Sequence, residues 1–323
     1  MPKELIEINF FAGIGGATEG LRRAGFTCRD FVEYNPNAAT IHRDNQTGRS
    51  HTIDILDLDP RELPFAPDNA WFSPPCQTHS LANANRGEIE NDFALARKIV
   101  EIIDTIKPRS IAIENVPSYL TSQSFRIIRE YLDNNGWVVS CKVLQATDYG
   151  NPSQRKRFIC RALAKGRGIA PIEGFQTSRR SCKDAFSVLT AADLVPAIPL
   201  EVQQPVIDNL PKNRDYIIER RGYYKKPKTV LAASQMWCIK SSTHHDMKPP
   251  RSSLSPIGSY CVAYNAIIDN GFYQVTPKML GLLMGFPIDY KWGDLPAEAA
   301  AGIGNAVPVG LAEAIGKSLI ASL

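Results

Sequence analysis

A chain of 323 residues, 44% hydrophobic and 22% charged, has the make-up of an ordinary globular protein with room for one large domain and a smaller companion. No apolar run approaches the ~18 residues of a membrane span, and the amino terminus lacks a signal peptide's basic and apolar regions, so a cytoplasmic protein without a membrane partner is expected. The seven cysteines are scattered, odd in number and without a Cys-x-x-Cys pair, and His244-His245 has no neighbouring cysteine or carboxylate. That pattern argues against a disulfide framework and against a bound metal.

The first 160 residues alternate short apolar runs with helical patterns, the signature of a mostly parallel βαβ sheet. Leu5–Phe11 reads as a strand running into Ala12-Gly13-Ile14-Gly15-Gly16, followed by a helix with Leu21 and Ala24 on its apolar side and Gly25 placed to end it. Phe31-Val32-Glu33 reads as a second strand, Ile53-Asp54-Ile55 as the end of a third, and Asn69–Ser73 as a fourth. A helix from Asp92 to Ile106 stops before Pro108, and Ser110–Glu114 reads as a fifth strand. A further helix, Ser122–Asn134, leads into Trp137–Leu144, and Arg157–Cys160 resumes strand character. From Leu163 to Asn270 prolines recur and periodicity is short, which predicts a loop-rich inserted domain. Helical pattern returns at Pro277–Met284 and again from Val309 to Leu323.

Charge is unevenly spread. Between Arg161 and Tyr273 there are 16 Lys and Arg against 9 Asp and Glu, and seven basic residues concentrate between Lys212 and Lys228. Such a stretch suits a phosphate backbone, and it equally suits a solvated loop.

Five local patterns carry chemistry. Ser73-Pro74-Pro75-Cys76-Gln77 presents a thiol on a stiff loop leaving a strand, as a nucleophile requires, although a bystander cysteine in a turn reads the same way. Gly13-x-Gly15-Gly16, between a strand and a helix, lets the backbone approach a ligand closely. Glu33 and Asp54 stand at strand ends where they would meet a ribose and an adenine amino group, or else serve as helix caps or solvated ends. Glu114-Asn115-Val116 ends the fifth strand at the same carboxyl edge as Cys76, and Arg155-Lys156-Arg157 aims alternate arginines to one face of the next strand.

Taken together, the chain resembles the cytosine-C5 DNA methyltransferases, which depend on S-adenosyl-L-methionine. Phe11–Gly16 matches that family's cofactor loop, Ser73–Gln77 its nucleophile loop, Glu114–Val116 its second catalytic motif and Arg155-x-Arg157 its paired arginines. Gly285-Phe286-Pro287 and Ile303–Pro308 match its two C-terminal motifs. The resemblance implies a Rossmann-like α/β catalytic domain over 1–163 and 271–323, with a target-recognition domain over 164–270. It implies Cys76 as nucleophile toward cytosine C6, Glu114 as the acid at N3, and Arg157 supported by Arg155 as the cation at O2. For the cofactor it implies Phe11, Ala12, Gly13, Gly15, Gly16, Glu33, Asp54, Ile55, Pro75, Asn305 and Val307. For double-stranded DNA with a flipped cytosine it implies Gln77, Ser80 and the phosphate contacts Arg220, Arg221, Lys225, Lys226 and Lys228. A monomer in a bacterial or phage-infected cell, with a cognate restriction endonuclease as an associated activity, is the expectation that follows.

The chain departs from the family's pattern at His79 in the nucleophile loop, at Ser153 before the paired arginines, at Tyr273 and Met279 around the Thr-Pro segment, and at Asn9, where an aspartate is usual. Two alternatives stay open. The Ser-Pro-Pro-Cys-Gln form also resembles the tRNA-methylating branch, whose Cys-Phe-Thr signature is absent here. A DNA-binding regulator on the same scaffold would have lost its nucleophile or acid, whereas Cys76 and Glu114 are both present.

Overall fold

The computed structural model describes residues 4–75, 87–153, 155–166, 168–180, 182–193, 260–263, 271–274 and 276–323, with 182–183, 260–263 and 271–274 as backbone alone. Five parallel strands, β1 (Leu5–Phe10), β2 (Phe26–Val32), β3 (Arg49–His51), β4 (Asn69–Phe72) and β5 (Ser110–Asn115), are joined by β6 (Val138–Gln145) and β7 (Lys156–Leu163). They form one sheet in the order β3-β2-β1-β4-β5-β7-β6, in which β7 runs opposite to the other six strands. Strands β4 and β5 are buried throughout, so they read as continuous apolar runs rather than alternating ones.

Alternation of side chains sorts the sheet into two cores. Ile8, Phe10, Phe72, Ile111, Ile113 and Phe158 face α3 (Glu90–Ile106) and α4 (Gln123–Asn134), meeting Ile99, Ile103, Phe125, Ile128 and Leu132. Each such fully buried side chain contributes roughly 1.5–3 kcal/mol. On the opposite face Trp71, Ala112 and Ile159 pack with Leu21 of α1 (Gly16–Ala24) and with Leu311, Ile315 and Leu319 of the C-terminal helix, α8 (Val309–Ile320). Small residues set the approach of these two helices. A Cβ on Gly20 would lie 2.5 Å from that of Ala312, and one on Gly316 would lie 2.7 Å from that of Ala24. The end of the chain is thereby docked behind the glycine loop that starts α1.

The remaining helices among the described residues are α2 (Pro36–Asn45), α5 (Cys182–Phe186), α6 (Pro277–Leu283) and α7 (Pro296–Asn305). Ala185, Phe186 and Leu189 pack with Ile14, Met279 and Phe286, so packing onto the catalytic body continues past residue 163. β8 (Tyr260–Ala263) and β9 (Gly271–Gln274) pair antiparallel in a separate two-stranded sheet.

Three sequence expectations change. The third strand is Arg49–His51, and Ile53–Ile55 is not part of it. Asp54 Oδ1 instead accepts from Leu56 N at 3.0 Å and caps the short 3-10 turn Ile55–Asp57. Helix α2 was not anticipated because its polar run Asn37–Asn45 lacks an apolar stripe, although Asn35 caps it through bonds from Asn37 N and Ala38 N. Helix α7 is rich in Ala and Gly and gives equally little periodicity.

Candidate active site

The chain leaves β1 through Phe11, whose φ of 56° is unusual for a residue with a side chain, and turns through Gly13 at φ 53°. Two bonds tie this turn to the end of β2: Ala12 N donates to Val32 O at 3.0 Å, and Gly13 N donates to Glu33 Oε2 at 2.8 Å. Glu33 Oε1 accepts from Asn35 N at 2.8 Å. Burial pushes the Glu33 carboxyl up, opposed by those backbone donors. Behind the loop there is no spare room. A Cβ on Gly16 would meet Val307 O at 2.7 Å and the Cβ of Ala306 at 3.1 Å, and Tyr290 OH donates to Ile14 O. In front of it there is: a Cβ on Gly13 would find no atom within 4 Å. Just past the ends of β2 and β3, Tyr34, Ile53 and Leu56 are exposed. An open, glycine-floored cradle beside a buried carboxylate and exposed apolar side chains fits an adenosine-bearing cofactor.

Beneath the loop sits His42 of α2, fully buried and stacked on Phe31 with ring centroids 3.8 Å apart. Burial lowers its pKa to about 3, so the imidazole is neutral at pH 7 and acts as packing under Gly15.

The second half of the site lies at the carboxyl ends of β4 and β5. Glu114 and Arg157 are offset by two positions on adjacent antiparallel strands, since Glu114 pairs with Ile159, and so they share a face. Arg157 Nε lies 2.6 Å from Glu114 Oε1, with both side chains at least nine-tenths buried. Arg157 Nη1 donates to Lys156 O at 2.8 Å. Arg155, also buried, precedes it on the same face, and its carbonyl accepts from Ala146 N at 2.8 Å. Asn115 does different work. Its Nδ2 donates to Pro74 O at 3.1 Å, and its Oδ1 accepts from Val116 N at 2.8 Å. Ser73 N donates to Phe10 O at 3.2 Å and Ser73 Oγ accepts from Trp71 Nε1 at 2.8 Å, so the chain entering the nucleophile loop is fixed up to Pro75. Where the chain is next described, Glu88 accepts from Gln123 N at 2.6 Å and Ser124 N at 2.7 Å, capping α4.

The acid, the cation, the root of the nucleophile loop and the cradle thus share the carboxyl edge of one sheet. The family model for C-5 cytosine-specific DNA methylases matches residues 6–321. The chain belongs to that family. It is an enzyme that methylates cytosine C5 in DNA. It is 30% identical to the type II methyltransferase M.Bsp6I of Bacillus sp., covering 98% of each chain, and 28% identical to the type II methyltransferase M.HaeII of Haemophilus aegyptius, covering 99% of this chain and 94% of that one. In fold it resembles the methyltransferase EhMeth of Entamoeba histolytica, with a TM-score of 0.67 at 17% identity over 99% and 98% of the two chains.

In the methyltransferase, Phe11, Ala12, Gly13, Gly15 and Gly16 make the turn that Glu33 ties to the end of β2, and Asp54 caps the short turn after β3 that begins at buried Ile55. Val307 is buried against Gly16, while Asn305, the last residue of α7, is exposed. Cys76, Gln77, Ser80 and His79 lie outside the described residues, as do Arg220, Arg221, Lys225, Lys226 and Lys228. Sequence reasoning passed over Tyr34 and His42. Tyr34 could have been found from its place directly after Glu33, whereas His42 had no local signal. Two of the departures are absorbed by packing: Met279 is buried among α6 and α7 side chains, and Asn9 Nδ2 donates to Thr18 Oγ1 at 3.0 Å. Asn151 Oδ1 accepts from Ser153 N at 3.2 Å while its Nδ2 donates to Met284 O at 2.8 Å, tying the arginine strand to the C-terminal motif. Among the described residues no group of three or more His, Cys, Asp or Glu could hold a metal ion.

Proposed function

We propose that this methyltransferase works on a cytosine flipped out of duplex DNA through a transient bond between Cys76 Sγ and C6. Cytosine C5 is a weak nucleophile, and addition of a thiolate at C6 makes it enamine-like. Negative charge then moves toward N3 and O2. Glu114, protonated or sharing a proton with N3, stabilises the first, and Arg157, with Nε and Nη1 engaged inside the protein, offers Nη2 to O2 as a fixed cationic donor. Arg155 supports Arg157 from the same face. S-adenosyl-L-methionine supplies the electrophilic methyl group when bound. In the cradle, Phe11, Tyr34 and Ile55 flank its adenine, Asp54 meets the adenine amino group and Glu33 the ribose hydroxyls. The backbone of Gly13, Gly15 and Gly16 with Pro75, Asn305 and Val307 borders the methionine end. Loss of the C5 proton to a water-borne base then expels the thiol.

The observation that carries this reading is the buried Glu114–Arg157 pair, 2.6 Å apart across two strands, with Asn115, the residue after Glu114, pinning the chain at Pro74. We assign DNA contact to Gln77, Ser80 and the basic cluster Arg220, Arg221, Lys225, Lys226 and Lys228, with the protein acting as a cytoplasmic monomer beside a cognate restriction endonuclease. Duplex DNA carrying 5-fluorocytosine tests the chemistry: a covalent complex forms with the wild type and none with Cys76→Ala. Absence of a complex across a broad sequence pool, or methyl transfer to tRNA in preference to duplex DNA, overturns the proposal.

A further inference from the structure

Methyl transfer leaves two thiols unused on the far strands of the sheet. Cys141 of β6 and Cys160 of β7 stand directly opposite each other in the antiparallel ladder. The kind of pair they form follows from the hydrogen bonds around them. Ala146 N donates to Arg155 O at 2.8 Å, which makes those facing residues a hydrogen-bonded pair. Hydrogen-bonded and non-bonded pairs alternate along such a ladder, and Cys141 lies an odd number of steps from Ala146, so its pair with Cys160 is non-bonded. The other side of β7 agrees. Ala164 N donates to Arg109 O at 3.0 Å, and an even number of steps along that ladder Cys160 turns its own N–H and C=O toward Ile113. Facing residues of a non-bonded pair have Cα atoms about 4.5 Å apart with side chains close together. That falls within the ~4.4–6.8 Å a disulfide spans.

The surroundings of the two thiols differ. Cys160 is fully buried, and Cys141 is half-buried under α4. Arg129 of α4 places Nη1 3.9 Å from Cys141 Sγ, and is itself held by both carboxylate oxygens of Asp133 at 2.8 Å. Arg161 is the further charged group near Cys160. A hydrogen bond from Cys160, and then the Arg129 charge, pull the Cys141 thiol down, while that same bond and burial push Cys160 up. The half-buried sulfur beside Arg129 is thus the one a small oxidant can reach, and the buried one stands directly opposite it, the arrangement that suits attack and resolution.

We propose that Cys141 and Cys160 form a peroxide-reactive dithiol, separate from the methyl-transfer site. The Cys141 thiolate attacks one oxygen of a hydroperoxide and breaks the O–O bond, giving Cys141 sulfenic acid and hydroxide or alkoxide. The Cys160 sulfur then attacks the sulfenyl sulfur, forming the S–S bond; its proton leaves with the hydroxyl as water. Two electrons pass from the dithiol to the peroxide, and a reducing thiol restores the starting state.

The test uses the purified full-length wild-type protein, treated with a small excess of hydrogen peroxide, alkylated, and digested without reduction for peptide mass spectrometry. A linked Cys141–Cys160 peptide pair that dithiothreitol dissolves is the expected result. In Cys160→Ser the reaction stops at a Cys141 sulfenic acid that dimedone captures. Arg129→Gln slows formation of the linked pair by roughly threefold to tenfold at neutral pH. The proposal is overturned if both thiols stay fully alkylatable while other cysteines oxidise, or if Cys141 links to any cysteine but Cys160.

Discussion

Around Gly13 the main chain does the holding, whereas around Glu114 charged and amide side chains do. The cradle is shaped by Gly13 N on Glu33, Ala12 N on Val32 and the close approach of Gly16 to Val307 O. The reacting edge is shaped by the Glu114–Arg157 ion pair and by Asn115 on Pro74 O. A backbone cradle fixes shape, so damage to it is felt as lost binding and lost stability. A side-chain edge fixes charge, so damage to it is felt in turnover. Glu114→Gln is the largest expected effect: kcat falls about 10²–10⁴-fold, with cofactor affinity unchanged by titration calorimetry. An equal loss of cofactor affinity would erase the distinction between the halves.

Glu7 sharpens the comparison from the cradle side. It lies in β1, is 1% exposed, and faces Cys28 of β2 and Asn69 of β4, with Asn9 and Thr18 beside it. Burial raises its pKa to about 8, against about 4.3 for an unperturbed glutamate. Between those values the folded protein keeps a proton that the unfolded chain releases, so stability declines as pH rises through that window. Urea unfolding from pH 5 to 9 should show that decline in the wild type, to the extent of a few kcal/mol, and a flatter profile in Glu7→Gln. Parallel profiles would show that Glu7 does not govern it.

Gly16→Ala probes the same half by crowding. The added methyl would meet a backbone oxygen at 2.7 Å, which cannot rotate away, so α1 and the Val307 segment must part. The expected cost is about 1–3 kcal/mol, read as a lower Tm and weaker cofactor binding with kcat at saturation little changed.

How far these features could be read from the chain depends on what sets them. Strands β4 and β5 announce themselves because both faces are covered, and the glycine loop, Glu114 and Arg157 because their spacing reflects chemistry. Ile53-Asp54-Ile55 imitates a strand by alternation, but an aspartate able to cap the next turn wins locally. Glu7 looks solvent-facing by the same alternation, and only the packing of α1 across the sheet buries it. His42 takes its place from the docking of α2 on Phe31, with no local signal, whereas Tyr34 directly follows Glu33 and was open to inspection. What escaped the sequence is tertiary in origin: close helix approach through Gly20 and Gly316, and burial of single polar groups.

The smallest expected effect belongs to Asn115, where the two halves meet. Its side chain touches no reacting atom in the proposed chemistry, yet it joins the strand bearing Glu114 to the loop bearing Cys76 through Pro74 O. Asn115→Ala removes the bond to Pro74 O, worth roughly 1 kcal/mol, together with the local one from Val116 N, and leaves the ion pair alone. Because positioning errors act on the transition state, the loss should appear as about a tenfold fall in the rate of 5-fluorocytosine trapping, with Tm shifted by only a few degrees and cofactor affinity intact. Asn115→Asp separates positioning from polarity: a carboxylate can still accept from Val116 N but cannot donate to Pro74 O, so its trapping rate should match that of the alanine variant. Wild-type trapping by Asn115→Asp would mean that Ser73 and the two prolines hold the loop unaided.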